Sequence, residues 1–584
     1  MTRESNIRDR PSVVLLAVFL FSCLSAWAAD ITAKQAETAV GNWAKRSPSP
    51  LEAKIGHTVR AAQTYTSDAG EPLFHVVRFE EGGFVVTSAD DGITPIIAFS
   101  GNDDLVVDAQ NPFWVMLNKD LPQRKLQAKA RQTMQQLQGL AAQAEVGTPE
   151  AEWASLLAEQ VGTLGLSSVS DERVTPFVQS RWSQSTVNGY NTYNYYTPFN
   201  YVCGCVATAG AQIMLYHQYP SGSVSAGTYT CFVNGTASSK TMQGGTYAWA
   251  SMPTVPDASI TLAQRQAIGK LTSDVGIACY MQYDSDGSGA LDMNLAKAFT
   301  GRFTYARSVI ILDNNGVDSY YSKAVLANLD AGYPVAFGIS GTGGHEVVGD
   351  GYGYTSSTLY IHLNMGWAGS DDAWYNLPTV NPALNSQYTF TIVKSIVYNI
   401  FPTHTGEIIS GRVLNAAGSP VSGASVVAVN ETTSTTLAAV TSNARGIYAI
   451  LVPEPTSPAT HSYRLTATSG SQTGVQTTTI TASTSTHTTY TESTGAGLYY
   501  PGTGAVGNQW GVNLTVTSAS APAAPTGVSA DDGTSTASVP VAWTLASGAT
   551  GYGVYRYTSN SSASASLLGG AAGTTYADST ATPG

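Results

Sequence analysis

The chain changes character near residue 402. Before that point, stretches with apolar residues at helical spacing are mixed with short alternating runs. From Thr405 onward, "GEIISGRVLNAAGSPVSGASVVAV" and "TSNARGIYAILVPE" alternate at period two, are punctuated by Gly, Pro and Asn, and contain no helical segment. One core cannot serve both patterns. At 584 residues the length prior of roughly 100–200 residues per domain points to about four domains. Residues 405–515 read as one β-sandwich. A Ser/Ala/Pro hinge, "TVTSASAPAAP", leads to a second all-β module at 522–584. A sandwich ordinarily takes about seven strands in about 100 residues, so this last module is expected to be truncated.

The N-terminal side divides as well. Arg3, Arg8 and Arg10 precede "VVLLAVFLF", which is too short to span a membrane, and "AWA" at 26–28 follows. Residues 1–28 therefore read as an export signal cleaved after Ala28, with lipidation of Cys23 in "LFSC" as the alternative. The protein is expected outside the cytoplasm, secreted or at the cell surface. Residues 29–172 read as an α+β unit. "ITAKQAETAVGNWAKR" places Ala33, Ala36, Val40 and Trp43 at helical spacing, "LFHVVRFE" and "GFVVTSADD" read as strands of a hairpin, and Asn118 to Gln160 favours helix.

Charge excludes one class of partner. The formal net charge is −12 with no long basic run, so nucleic-acid binding, which needs clustered Lys and Arg, is not expected. Apart from Cys23 the cysteines are Cys203, Cys205, Cys231 and Cys279. They form no CxxC pair, and a single CxC without nearby histidines makes a poor zinc site, so no metal or cofactor is expected. If one thiol is catalytic, at most one disulfide can form among the rest. "DSDGSGALDMNL" alternates Asp284, Asp286 and Ser288, but a calcium loop needs a bidentate Glu at its twelfth position, where Leu295 stands.

Residues 173–402 carry all four of these cysteines. In "YVCGCVATAGAQIMLYHQYP", Gly204 breaks the chain and Val206, Ala209, Ile213 and Tyr216 or His217 then share a helical face, ended by Pro220. Cys205 falls in the first turn of that helix, where unpaired N–H groups and the helix dipole favour a thiolate. Cys203 lies outside the turn. A cysteine in an apolar stretch is ordinarily inert, so a base is required. His345 in "GTGGHEVVGDGYGY" follows a glycine-rich turn and starts a strand, and "TLYIHLNMGWAG" then supplies Asn364 and Trp367. Helix-borne Cys, strand-borne His, then Asn and Trp is the order a papain-type cysteine protease requires. His345 would take the thiol proton, Asn364 would orient the imidazole, and Trp367 would shield it. For the oxyanion the Cys205 N–H is one donor and Gln184 in "RWSQSTVNGYN" a candidate second, although Gln184 could equally be an ordinary surface residue.

"RWSQ", "GCVATAGAQIMLYHQYP", "YAWASMP", "YDSDGSGA", "GGHEVVGDGYGY" and "HLNMGWAG" resemble, in the same order, motifs of the streptopain family of bacterial secreted cysteine peptidases. "GGFVVTSADDGITPIIAFSG" resembles that family's inhibitory prodomain. The resemblance implies an α+β, papain-like fold with a helical lobe and an antiparallel β lobe. It implies a secreted endopeptidase made as an inactive precursor and restrained by its own prodomain, with Cys205 as nucleophile, His345 as base and acid, and Gln184 in the oxyanion hole. Protein and peptide substrates would meet Ser288, Gly289 and Gly344. Two departures stand out. Glu346 follows the histidine where the family usually has a small or apolar residue, and "NMGW" replaces "NWGW". Downstream, residues 405–515 resemble carboxypeptidase-regulatory-like repeats and 522–584 a fibronectin type III module. Trp510 and Trp543 in these modules are expected in cores, facing a ligand being the alternative. Maturation is expected between Ala142 and Val174, by self-cleavage. The competing reading is an inactive surface or adhesion protein whose β modules bind host protein or glycan.

Overall fold

A computed structural model of the chain describes residues 30–102, 105–137, 148–158, 170–312, 321–339, 344–355, 358–377, 392–485, 505–518, 522–531, 533, 535–557 and 565–581. The expected signal, and residues 142–147 and 159–169 of the expected maturation stretch, lie outside the described residues.

Helix α1 (Ala33–Arg46) begins at a capping box. Gln35 N–H donates to Thr32 Oγ1 (3.3 Å), and Thr32 N–H donates to Gln35 Oε1 (2.9 Å). Its buried face is Ala36, Ala39, Val40 and Trp43, with Ala44. Strands β1 (Val59–Thr66), β2 (Pro72–Phe79), β3 (Phe84–Ser88) and β4 (Ile96–Ser100) follow as an antiparallel meander, with the expected β2–β3 hairpin in register from Phe74↔Ser88 to Arg78↔Phe84. Helices α2 (Pro112–Leu137) and α3 (Pro149–Leu157) complete this N-terminal part.

Strand β5 (Ser170–Val174) and the short pair β6 (Thr186–Val187) and β7 (Tyr190–Asn191) lead to helix α4 (Cys205–His217). Next come the hairpin β8 (Gly227–Val233) and β9 (Thr236–Met242), helix α5 (Leu262–Ala278), β10 (Gln282–Tyr283) and helix α6 (Asp292–Gly301). The chain then becomes sheet: β11 (Arg307–Leu312), β12 (Val335–Ile339), β13 (His345–Thr355), β14 (Thr358–Asn364), β15 (Ala373–Tyr375) and β16 (Val393–Phe401).

The N-terminal strands are not a separate sheet. An eleven-stranded sheet runs β1-β2-β3-β4-β15-β14-β13-β12-β16-β11, with β5 paired to the far half of β13. The join is β4 against β15, at Trp374↔Phe99 and Tyr375↔Ala98. Alternation along the strands divides the interior into two cores. On one face Val348, Ala336 and Val397 pack with α4, α5 and α6 as a helical lobe. On the other, Val347, Phe337 and Ile396 share a core with Phe74, Val86, Phe113 and Leu117 of the N-terminal part. The expected mixed α+β class, a helical lobe against an antiparallel sheet, is what forms.

Beyond residue 402 the described chain is all strand. β17 (Glu407–Asn415) belongs to an eight-stranded sheet around Ile409, Val426, Tyr448, Leu465 and Leu514. Residues 526–578 form smaller sheets of three and two strands. Trp543 is buried beside Tyr552 (ring centroids 5.1 Å), whereas Trp510 packs at the seam with Ile408 and Phe401.

Candidate active site

The helix that carries Cys205 is more buried than one apolar face requires: Val206 through Leu215 are all buried. The reason is its place in the fold, enclosed by α5, α6 and β13, and its small residues make that enclosure possible. A side chain at Gly210 would meet Leu295 at 2.6 Å. Gly204, before the first turn, has φ +90, and a Cβ there would lie 2.8 Å from the Ser288 carbonyl oxygen and the Met281 sulfur. Only glycine fits both constraints. Ser288 thereby lies against the helix N-terminus.

Cys205 is half-buried at that N-terminus, and α4 packs on β13, whose first residue is His345. Burial pushes the Cys205 thiol above its ordinary value. The backbone N–H of Glu346 and those of Val206 and Cys205 oppose the rise, while the Asp292 carboxyl adds to it. So the start of β13 reaches the sulfur, and it does so with its backbone. Val347 faces the core shared with the N-terminal part and Val348 the helical lobe. Strand alternation then puts the Glu346 side chain on the helical-lobe face and His345 on the opposite one. The burial of His345 lowers its pKa, and its Nδ1 has no hydrogen-bond partner among the described residues. In this arrangement, with the N-terminal part seated on the sheet, the thiol is held by amides and not by the imidazole.

The other candidates are distributed around this point. Gln184 is buried, and its carbonyl accepts the Cys203 N–H at 2.9 Å, tying it beside the nucleophile's loop. Gly289 bridges to Gln282 through both backbone groups, at 2.8 and 3.0 Å, and the Ser288 hydroxyl is buried without a partner. Gly344, at φ +64, immediately precedes His345. Trp367 is half-buried against the core on the Val347 face. The expectation that Asn364 orients the imidazole is not met here. Its Oδ1 accepts from Gln212 Nε2 (3.0 Å) and the Gly366 N–H (3.1 Å), and its Nδ2 donates to the Ser180 carbonyl (2.7 Å). Those bonds fasten α4 to the end of β14. The substituted Met365 is buried, and its N–H donates to Asp372 at 2.8 Å.

The remaining thiols are inert by the same physics that makes Cys205 interesting. Cys203, Cys231 and Cys279 are buried and unpaired. Burial pushes Cys203 and Cys231 up to about 12, so neither supplies thiolate near neutrality. No group of metal-ligating residues occurs among the described residues, and none of their helices is long and apolar enough to cross a membrane.

Sequence reasoning missed two features. His362 Nδ1 lies 2.6 Å from the buried Asp350 carboxylate, which also accepts the Val178 N–H at 2.9 Å. This pair braces β13 against β14 and the segment entering the lobe. The second is an acidic pair. Burial, together with the adjacent Asp292 carboxyl, pushes Glu346, 2% exposed, well above the usual carboxylate range, so that it keeps its proton and can share it with Asp292. Asp292, the first residue of α6, lies beside it and accepts a short hydrogen bond from Ser395 Oγ. The motif departure at 346 was the only signal in the sequence.

The N-terminal part reaches this region. Gln110 Nε2 donates to the Asp286 carbonyl (3.5 Å), in the loop that ends at Ser288, and Asn111 Nδ2 bonds the Asp371 carboxylate. A thiol at a helix N-terminus, a histidine-bearing strand across from it and an attached segment seated on the same sheet define a cysteine peptidase with a prodomain. The family models and the sequence relatives agree. Residues 182–375 match the Peptidase C10 family, and residues 28–124 match the Spi protease inhibitor family. Streptopain of Streptococcus pyogenes serotype M28 is 26% identical over 326 residues, covering 53% of this chain and 75% of that protein. The thiol protease/hemagglutinin PrtT of Porphyromonas gingivalis is 30% identical over 183 residues, 31% of this chain and 21% of that protein. Among solved structures, a fragment of Prevotella intermedia prointerpain A aligns with a TM-score of 0.42 at 22% identity, over 59% of this chain and 99% of that one.

Proposed function

We propose that residues 173–402 are a papain-like endopeptidase domain in which Cys205 is the nucleophile and His345 its base, restrained by the prodomain 29–172 until the latter is removed. The observation that carries this reading is the meeting of the α4 N-terminus with the first residues of β13 at the Cys205 sulfur. In the active form the His345 imidazole turns to the α4 side, a rotation that Gly344 at φ +64 can absorb. It takes the thiol proton, and the resulting imidazolium and the helix N-terminus hold the thiolate. The sulfur adds to the substrate carbonyl, and the oxyanion is met by the Cys205 N–H and the Gln184 side chain. His345 then gives its proton to the leaving amine. Water, deprotonated by the same imidazole, hydrolyses the acyl-enzyme and restores the thiol. Ser288, Gly289 and Gly344 line the substrate's path, Trp367 shields the imidazole, and Asn364 positions it only after releasing a present partner.

The precursor is exported by residues 1–28 and matures by self-cleavage between Ala142 and Val174. Strand β5, which spans residues 170–174 and pairs with β13, limits how far into that stretch the cut can fall without disturbing the sheet. Residues 405–515 and 522–584 are read as carboxypeptidase-regulatory-like and fibronectin type III-like modules that serve an extracellular or surface ligand. The test is to purify wild-type and Cys205→Ala precursors separately and follow maturation and casein hydrolysis. The expected result is a mutant that stays full-length and inactive. A Cys205→Ala chain that matures alone contradicts self-cleavage, and one that hydrolyses casein contradicts the assignment of the nucleophile.

A further inference from the structure

The strand at which the peptidase part begins is held from two sides. β5 pairs with the far half of β13, from Thr355↔Ser170 to Tyr352↔Val174. The prodomain covers it with the turn Pro50–Glu52, where Leu51 and Glu52 take φ +49 and +59. The Leu51 N–H donates to Ser170 Oγ at 2.7 Å. A Cβ at Gly353, opposite Glu172 in the register, would lie 2.6 Å from Leu51 Cδ2 and 2.9 Å from Glu172 Cα, so the prodomain, β13 and β5 close on one point. The sandwich holds the same strand by its acids. Arg412 of β17 lies 3.7 Å from the Asp171 carboxylate, and Arg445 pairs with Glu172 and, at 2.7 Å, with Glu52. The two arginines are tied together, Arg412 Nε donating to the Arg445 carbonyl at 3.0 Å. The turn 443–446 is itself fixed: the Arg445 N–H donates to Asn443 Oδ1 and the Gly446 N–H to the Asn443 carbonyl, both at 2.9 Å.

Glu172 is the buried member of this group. Its side chain is 2% exposed, against 36% for Asp171 and 65% for Glu52. An exposed ion pair contributes little, whereas breaking a buried one strands a charge. The junction therefore rests on the bond between the sandwich and β5, and the prodomain adds a weak third arm. Building on the peptidase reading above, with its cut ahead of the peptidase domain, we infer that the sandwich turn 443–446, with Arg412, is a latch for the acidic strand β5 that keeps the end created by maturation in the catalytic sheet. Maturation frees the chain upstream of β5 and takes Leu51 and Glu52 away with the prodomain. What then holds β5 is its ladder to β13 and the two arginines. While the prodomain is seated, burial and the Glu52 carboxyl push Glu172 up to about 7, with Arg445 opposing the rise. Departure of Glu52 removes that competing acid and leaves Arg445 to Glu172 alone. The latch places the stable N-terminus of the processed enzyme before Ser170, and it steadies β13, the strand that begins at His345.

The test is amide hydrogen exchange of the peptide spanning 170–174, with mass spectrometry of the N-terminus, in the full-length precursor and in the self-processed enzyme. The wild type should keep β5 protected in both forms and begin before Ser170 once processed. In processed Arg445→Ala, exchange at 170–174 should be about tenfold faster than in the wild type, and the N-terminus should be trimmed into β5. The change should be smaller in the precursor, where the Leu51 turn still covers the strand. Exchange at 408–413, inside the sandwich, should stay at the wild-type rate. Should Arg445→Ala fail to fold, Glu172→Gln weakens the same pair from the peptidase side and is read in the same way. A processed variant whose β5 is as protected as the wild type's overturns the inference alone. So does faster exchange in β5 and the sandwich alike, or a wild-type N-terminus beyond Val174. A wild-type precursor that never cuts itself overturns self-processing. A site-specific protease acting on a recognition sequence placed within 159–169 then makes the cut, and the same exchange ratio decides the latch.

Discussion

The prodomain and the first β-sandwich both dock on the catalytic sheet, and the balance of apolar contact and charge differs between the two seams. The prodomain joins through backbone pairing and apolar side chains: β4 against β15, Phe99 among Trp43, Tyr360 and Trp374, and one core shared across the seam. The sandwich joins through buried charge. Glu407 is fully buried and accepts from Arg307 (2.6 Å), Asn399 Nδ2 (3.0 Å) and Ser483 Oγ (2.7 Å), while Asn508 Nδ2 donates to Asn399 Oδ1 at 2.8 Å. The polar links across the prodomain seam, Asn111 to the Asp371 carboxylate and Tyr375 to the Asp120 carboxylate, pair each acid with a neutral group, so parting that seam breaks hydrogen bonds and no ion pair between these residues. A buried ion pair has no such exit, because removing either partner leaves the other desolvated. The contrast fits a segment meant to leave and a module meant to stay.

Arg307→Ala tests the fixed side with the largest effect. Stranding Glu407 should cost about 3–5 kcal/mol, seen as a lower unfolding midpoint and as susceptibility to proteolysis near residue 404, with the prodomain seam unchanged. Equal loosening of both seams would mean that the two are coupled. Tyr375→Phe tests the releasable side. Tyr375 Oη donates to the Asp120 carboxylate across the seam at 2.6 Å, so its loss should cost about 1.5–3 kcal/mol and shorten the lag before self-processing.

Asp330 gives the sandwich seam a pH dependence. It accepts from Tyr352 Oη (2.7 Å) and Ser410 Oγ (2.8 Å), and burial pushes its carboxyl from 3.8 up to about 7. The folded chain therefore binds this proton more tightly than the unfolded one. The associated stability is complete below pH 3.8 and is lost as pH rises through about 7. Asp330→Asn should flatten the slope of stability against pH across that window, and an unchanged slope would assign it to other groups. The smallest effect is expected from Glu52→Gln. Exposed Glu52 meets Arg445 of the sandwich at 2.7 Å, and such pairs are worth about 0–1 kcal/mol.

What the sequence disclosed was local. Helix α1, the β2–β3 hairpin and the Gly204–Cys205 helix start are written in spacing and caps, and each forms where the pattern puts it. The break near residue 402 was legible because periodicity changes there. The fusion of the prodomain strands to the peptidase sheet was not, since nothing in β4 names β15 as its neighbour almost three hundred residues on. The site divides likewise. Cys205 and His345 stood out through glycines and chain order. Which face of β13 each side chain takes depends on register and packing, so the amide contact to the thiol, the bonds that occupy Asn364 and the Glu346–Asp292 pair emerged only in three dimensions.

The most direct test of the central claim is the pH profile of Cys205 alkylation, read by peptide mass spectrometry in the intact precursor and in the processed enzyme. In the precursor, burial holds the thiol above its ordinary pKa, so labelling should rise only at alkaline pH. After processing, pairing with His345 should bring fast labelling down to about pH 5–6, in the range of activated cysteines, with Cys203, Cys231 and Cys279 unreactive throughout. Identical profiles before and after processing, or equal labelling of all four cysteines, would contradict it.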